Sequence, residues 1–312
     1  MRQGAVSSAN LLMNTSPLVV GLGEILWDIL PSGRQLGGAP ANFAYCSHLL
    51  GNQTIVASRA GLDDLGLELR QRLQESGLDD DLVQSDPVHP TGTVNVEGDA
   101  AGQPKFESTY PAAWDFIEWD AGLHRLAEAA DAICFGSLAQ RSEGSRKTIL
   151  KFLDETREEA LRIFDVNLRQ SFYSGGVIEE SMRRASVVKL NEQEVPTIAN
   201  VLGIPEQDFA ERAIAMFKLR LICVTRGDKG SLLIDQNGVH EHPGFRAQLK
   251  DAVGAGDAFT AGLVHELLRG SPALQMNDTA NRMGAWVASS VGAMPSLPVE
   301  GLSVALGSLV EK

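Results

Sequence analysis

Along this chain, short apolar runs alternate with longer stretches in which apolar residues recur every three or four positions. PLVVGLGEI, TIVAS, AICFG, RIFDV, SVVKLN and LICVTRG are rich in Val, Ile and Leu and read as strands. DLGLELRQRLQES, GLHRLAEAAD, EGSRKTILKFLDETREEA and FAERAIAMFKLR carry the spacing of amphipathic helices. Short apolar strands separated by such helices predict an α/β fold: a mostly parallel sheet flanked by helices on both faces. No internal repeat or low-complexity tract interrupts the pattern.

Two segments break the rhythm. Residues 29–36 (ILPSGRQL) and 87–114 contain turn residues and alternating patterns, such as TGTVNVEGD and PKFESTY, with no helical spacing. TVNVE, a Gly-containing turn and KFEST read as a hairpin. In open α/β sheets ligands bind beyond the carboxyl ends of the strands, so a small β-sheet near the substrate residues described below is expected to be a lid. The expected organisation is a tail over 1–16 and one domain over 17–312, with lid segments at about 29–36 and 87–114.

The length of 312 residues suits one large domain with a sizeable core. The formal net charge is −13 and no Lys/Arg run exists, which argues against a nucleic-acid partner. An acidic protein that binds an anionic nucleotide must build a local positive site from a few side chains, backbone N–H groups and metal. No apolar run approaches the roughly 20 residues of a membrane span. The first twenty residues make a poor signal peptide, so a cytoplasmic location is expected. Cys46, Cys134 and Cys223 show no CxxC spacing and read as buried free thiols of a reducing compartment.

The stretch carrying most chemistry is DAVGAGDAFTAG, residues 251–262. Gly254, Ala255 and Gly256 are small residues at the mouth of a helix, whose unpaired N–H groups and dipole attract anions. Asp257 follows in the first turn, placed to accept a proton from a hydroxyl that attacks a γ-phosphoryl group held there. The plainer alternative is that it only complements the helix dipole. GGAPANFAYCSHLLG, residues 37–51, is a Gly-Gly turn feeding a second helix. Gly38 lets backbone approach a ligand, and Asn42 offers a donor and an acceptor to hydroxyls. Asp28, read as lying at a strand end, suits paired sugar hydroxyls. His48 reads as a packed structural histidine, and Trp114 and Trp119 as packing for the lid connection. A P-loop and a dinucleotide fingerprint are both absent.

GGAPANFA and DAVGAGDAF resemble the two signatures of the ribokinase-like (phosphofructokinase-B type) carbohydrate kinase family. The order and spacing of the two stretches also fit that family. The resemblance implies a ribokinase-like fold with a β-sheet lid, ATP and Mg2+ as cofactors, and a sugar as substrate. It implies that Asp257 is the base, with Gly254, Ala255 and Gly256 as the anion hole. Asp28, Gly38 and Asn42 match sugar-holding positions. Asn191 and Glu194 match the NxxE motif that organises magnesium, water and phosphates, and Thr225 and Gly227 the strand end where ATP lies. Asp251, Val253, Gly292 and Ser296 resemble a monovalent-cation (K+) loop, although Ala252 replaces the usual threonine.

PAAWDFIEW, FDVNLRQSFYS and KLNEQE are similar to bacterial fructokinases in particular. Arg169 is placed to reach a phosphate or substrate oxygen, with a surface ion pair as the alternative. Lys189 is a second cation, expected to neutralise phosphate charge. The expected activity is transfer of the ATP γ-phosphate to fructose, giving fructose 6-phosphate. A 2-keto-3-deoxygluconate kinase stays open, and a catalytically silent scaffold or regulator is the alternative of a different class. The resemblance leaves a homodimer open.

Overall fold

The structure is a computed structural model and describes residues 16–30, 33–98 and 104–312. The expected tail therefore lies outside the described residues, except for Ser16. The strands are β1 (Leu18–Leu22), β2 (Leu26–Leu30), β3 (Gly33–Gly37), β4 (Gln53–Gly61), β5 (Val83–Asp86), β6 (Gly92–Gly98) and β7 (Pro104–Ser108). They continue as β8 (Ala132–Gly136), β9 (Leu161–Asp165), β10 (Val187–Asn191), β11 (Leu221–Thr225), β12 (Ser231–Asp235) and β13 (Gly238–His242). The helices are α1 (Ala39–Leu49), α2 (Asp64–Glu75), α3 (Ala121–Ala129), α4 (Glu143–Glu155), α5 (Gly175–Arg184), α6 (Val195–Leu202), α7 (Phe209–Phe217), α8 (Ala255–Leu268) and α9 (Ala273–Ala288).

Nine strands form the main sheet in the order β13-β12-β11-β10-β9-β8-β1-β4-β5. Pairing is parallel from β11 to β5, while β12 and β13 join antiparallel at one edge. Successive strand side chains point to opposite faces, and the sequence exploits both. Val20 and Leu22, Ile133 and Phe135, and Ile222 and Val224 enter one core with α3 to α7. Val19, Cys134 and Cys223 enter the other, with α1, α2, α8 and α9. This is why the strands read as unbroken apolar runs. All three cysteines are buried and free. Helices α2 and α3 start where the carboxylates of Asp63 and Asp120 accept the N–H groups of Gly66 and Leu123. Among the described residues, no helix is long and apolar enough to cross a membrane.

A second sheet of four strands runs β3-β2-β6-β7. β2 pairs antiparallel with β3 and parallel with β6, and β6 and β7 form an antiparallel hairpin. Its existence corrects one expectation. Asp28 is not at the end of the first main-sheet strand, because β1 stops at Leu22 and the chain turns out through Gly23 and Glu24. Asp28 is the central residue of β2, opposite Gln35 and Val94. Strand alternation then sends Trp27 to the core, where its indole donates to the Leu65 carbonyl at 3.0 Å, and Leu26 and Asp28 to the other face.

The return from this sheet is pinned by Arg141. It pairs with Asp115 at 2.8 Å, donates to the Thr109 carbonyl at 2.6 Å and stacks over the Trp114 ring at 3.8 Å. Trp114 is fully buried, as its packing role requires. His48 departs from expectation: it is exposed, near the C-terminus of α1. Residues 40–47 of α1 are buried all round, and His48 is exposed because it lies in the last turn, where the helix leaves the core.

Candidate active site

The carboxyl ends of β10 and β11 open onto a cleft of about 890 Å3, closed on the far side by Leu26 and Asp28 of β2, Val94 of β6 and Ser108 of β7. Two helix starts point into it. Gly38 caps α1 at φ 105°, a conformation that only glycine adopts readily, and a side chain there would meet the Glu24 carbonyl at 2.5 Å. Gly254 caps α8 at φ 78°, and a methyl group there would collide with Ala293. Both glycines let backbone N–H groups face the cleft without a side chain in the way.

Asp257 is the third residue of α8 and is buried. Asn42, from the first turn of α1, donates through Nδ2 to Asp257 Oδ2 at 2.8 Å. The Lys189 ammonium lies beside Gly256, where a methyl group would sit 2.9 Å from Nζ. Asp165, at the end of β9, holds Lys189 with both oxygens at 3.1 Å and accepts the Thr260 hydroxyl at 3.0 Å. Burial, then the Asp165 charge, raises the Asp257 pKa to about 6 against the pull of Lys189, Asn42 and Arg169. Burial works against the charge of Lys189, but Asp165, Asp257 and Glu194 outweigh it, so its pKa is raised and it stays a cation. Burial also raises Asp28 to about 6, opposed by Arg169 and assisted by Asp251.

The neighbouring loops are held tightly. After β9, Asn167 and Gln170 have positive φ, 38° and 48°, in a turn that carries Arg169 exposed at the cleft. Glu194 accepts the N–H groups of Leu168 at 2.7 Å and Asn191 at 2.8 Å. Asn191 Oδ1 in turn accepts the N–H groups of Gln193 and Glu194. NxxE is therefore a clamp that joins the β9 and β10 loops. Asp251 accepts the N–H groups of Val253 and Gly292, which brings those two loops together, while Ser296 is exposed.

Asp28, Gly38, Asn42, Arg169, Lys189, Asn191, Thr225, Gly227, Val253, Gly254, Gly256 and Asp257 thus share one cleft. Ala255 sits between two of them at the start of α8. Glu194, Asp251, Gly292 and Ser296 are not among its lining residues. Glu24, Asp165 and Thr260 were passed over in the sequence. Their only signal was a charged or polar side chain inside an apolar run.

This arrangement sets a glycine-capped helix start beside a buried carboxylate and a fixed ammonium, groups whose chemistry suits phosphoryl transfer. Residues 33–300 match the pfkB family carbohydrate kinase model. A fructokinase of Escherichia coli is 30% identical over 309 residues, spanning 89% of this chain and 95% of that protein. The chain belongs to the pfkB family of carbohydrate kinases and is a sugar kinase. The structure of a Vibrio cholerae fructokinase with fructose, ADP and calcium superimposes with a TM-score of 0.79 at 27% identity, covering 95% of this chain and 99% of that one. An aminoimidazole riboside kinase from Salmonella enterica, complexed with its riboside and an ATP analogue, gives 0.78 at 25% identity over 93% and 100%.

Gly254 supplies a direct check on this geometry. Gly254→Ala should cost about 1–3 kcal/mol of stability through backbone strain and should lower kcat by tenfold or more, because the start of α8 must move away from Ala293. A variant with unchanged kcat and melting temperature would show that this cap is not constrained.

Proposed function

We propose that this protein transfers the γ-phosphoryl group of ATP to a hydroxyl of fructose, most readily the 6-hydroxyl, in the cytoplasm. The observation that carries the reading is Asp257, buried at the start of α8, held by Asn42 and set beside Lys189. Asp257 takes the hydroxyl proton, the freed oxygen bonds to the γ-phosphorus, and the bond from that phosphorus to the β,γ-bridging oxygen breaks to release ADP. Gly254, Ala255 and Gly256 present N–H groups to the charge that develops, and Lys189 adds a fixed positive charge. Asp28, Gly38, Asn42 and Arg169 orient the sugar. Asn191, Thr225 and Gly227 line the nucleotide end.

Among the described residues, no cluster of three or more His, Cys, Asp and Glu side chains could hold a metal on its own. That fits Mg2+, which takes most of its ligands from nucleotide phosphates and water. Mg2+ bound with ATP would supply charge neutralisation at the phosphates, with Glu194 acting through the loop clamp it forms. The K+ reading rests on the meeting of the Asp251–Val253 and Gly292 loops.

The relatives named fructokinase favour fructose, while the riboside kinase neighbour and the cleft-facing Arg169 keep other acceptors in the comparison. A coupled ADP-release assay over fructose, ribose, tagatose, 2-keto-3-deoxygluconate, adenosine and aminoimidazole riboside decides among them. Fructose is expected to give the highest kcat/KM, and preference for another acceptor would reassign the substrate. Asp257→Asn is expected to lower kcat about 10²–10⁴-fold with nucleotide affinity within severalfold. Near wild-type kcat would remove Asp257 from the base role, and a wild-type protein inactive on every acceptor would favour the silent-scaffold alternative.

The four-stranded sheet serves as the lid in this reading, since Asp28 and Val94 face the cleft from it. Backbone hydrogen exchange over Leu26–Leu30 and residues 93–95 should slow when fructose is added, more than over α3 to α7. Exchange in these strands that no active sugar alters would contradict the lid.

A further inference from the structure

Glu24 lies in the short connection between β1 and β2, a charged residue where the chain leaves the main sheet. It is 3% exposed and lines the cleft beside Gly38 and Asn42. Its Oε2 has no hydrogen-bond partner, and neither has Oδ1 of Asn42 in the same wall. Buried acceptors without donors are rare in folded chains, and each calls for an explanation. Here the two orphan acceptors lie next to the carboxylate assigned as the base.

The surroundings of Glu24 account for part of its environment. Backbone N–H groups of Glu24 and Ala39 act on the carboxylate, the Arg169 charge favours its ionised form, and the Asp257 charge opposes it. Burial dominates and raises its pKa to about 7. None of these groups gives Oε2 a partner. What Glu24 Oε2 and Asn42 Oδ1 lack is a donor, and the ligand class that brings several donors at short spacing is a polyol. A phosphate or a carboxylate would bring further acceptors to these two oxygens.

We propose that Glu24 is a substrate-positioning residue, its free Oε2 accepting a hydrogen bond from a second hydroxyl of the sugar, distinct from the one that Asp257 deprotonates. The inference rests on the sugar-kinase reading and adds to it the side chain that reads a second hydroxyl. The competing account is that Glu24 only steadies the turn into α1, whose cap Gly38 has no side chain to offer.

The test uses whichever sugar the wild-type enzyme phosphorylates best, with its singly deoxygenated and deoxyfluoro analogues, on the wild type, Glu24→Gln and Glu24→Asp. Gln keeps the length and a carbonyl oxygen for the turn, and Asp keeps the charge but withdraws it by one methylene. In the wild type, one deoxygenated position is expected to lower kcat/KM at least tenfold. That discrimination should shrink to within about threefold in both variants, with the ATP KM changed less than twofold. Discrimination at every position unchanged in either folded variant would overturn the proposal and leave Glu24 a structural residue. A wild type inactive on all sugars would remove the kinase reading, and this inference with it.

Discussion

Everything in the cleft is arranged around the cost of keeping a carboxylate charged at the buried start of α8. A shift of Asp257 from 3.8 to about 6 corresponds to roughly 3 kcal/mol against its ionised form. The sign follows from linkage: with a raised folded-state pKa, this group's contribution to stability declines as pH rises from about 4 to 6. The fold tolerates the ionised form because Asn42 donates to it and because Lys189, itself fixed by Asp165, stands one residue away. Stability is thus given up at the carboxylate proposed as the base.

That electrostatic arrangement imposes demands on the backbone. Lys189 approaches α8 only because residue 256 has no side chain, and α8 starts where it does only because residue 254 has none. Asp165 and Lys189 lie opposite each other on neighbouring parallel strands, and Thr225 lies on the next strand opposite Asn191, two residues further along, so the sheet sets their spacing. Asn42 reaches the same point from α1, which packs in the same core as α8. The smaller sheet then brings Asp28 over the opening, anchored behind by Trp27 and at its return by Arg141.

Much of this was legible in the sequence. Strands buried on both faces leave continuous Val/Ile/Leu runs, so the central strands and the helices between them could be read directly. The hairpin of β12 and β13 was passed over, although DQNG between two β-rich runs is a turn signal, because its outer residues are polar and no helix separates the strands. Asp28 was assigned to the right neighbourhood and the wrong strand, since nothing in GEILWDIL marks where the chain changes sheets. Asp257 and Asn42 stood out through the small residues around them. Asp165, Thr260 and Glu24 did not, because their partners are distant in sequence and only folding brings them together. His48 shows the converse error, an apolar neighbourhood in sequence that leaves the residue itself exposed.

The most direct test of the account is the pH dependence of kcat/KM for the sugar at saturating MgATP. If ionised, buried Asp257 is the base, activity should decline on the acid side around pH 6, about tenfold or more per pH unit below it, with Asp28 titrating in the same range and Glu24 near 7. Activity that stays flat down to about pH 5 would contradict it, because a solvated carboxylate of ordinary pKa, and not the buried one described here, would then govern the chemistry.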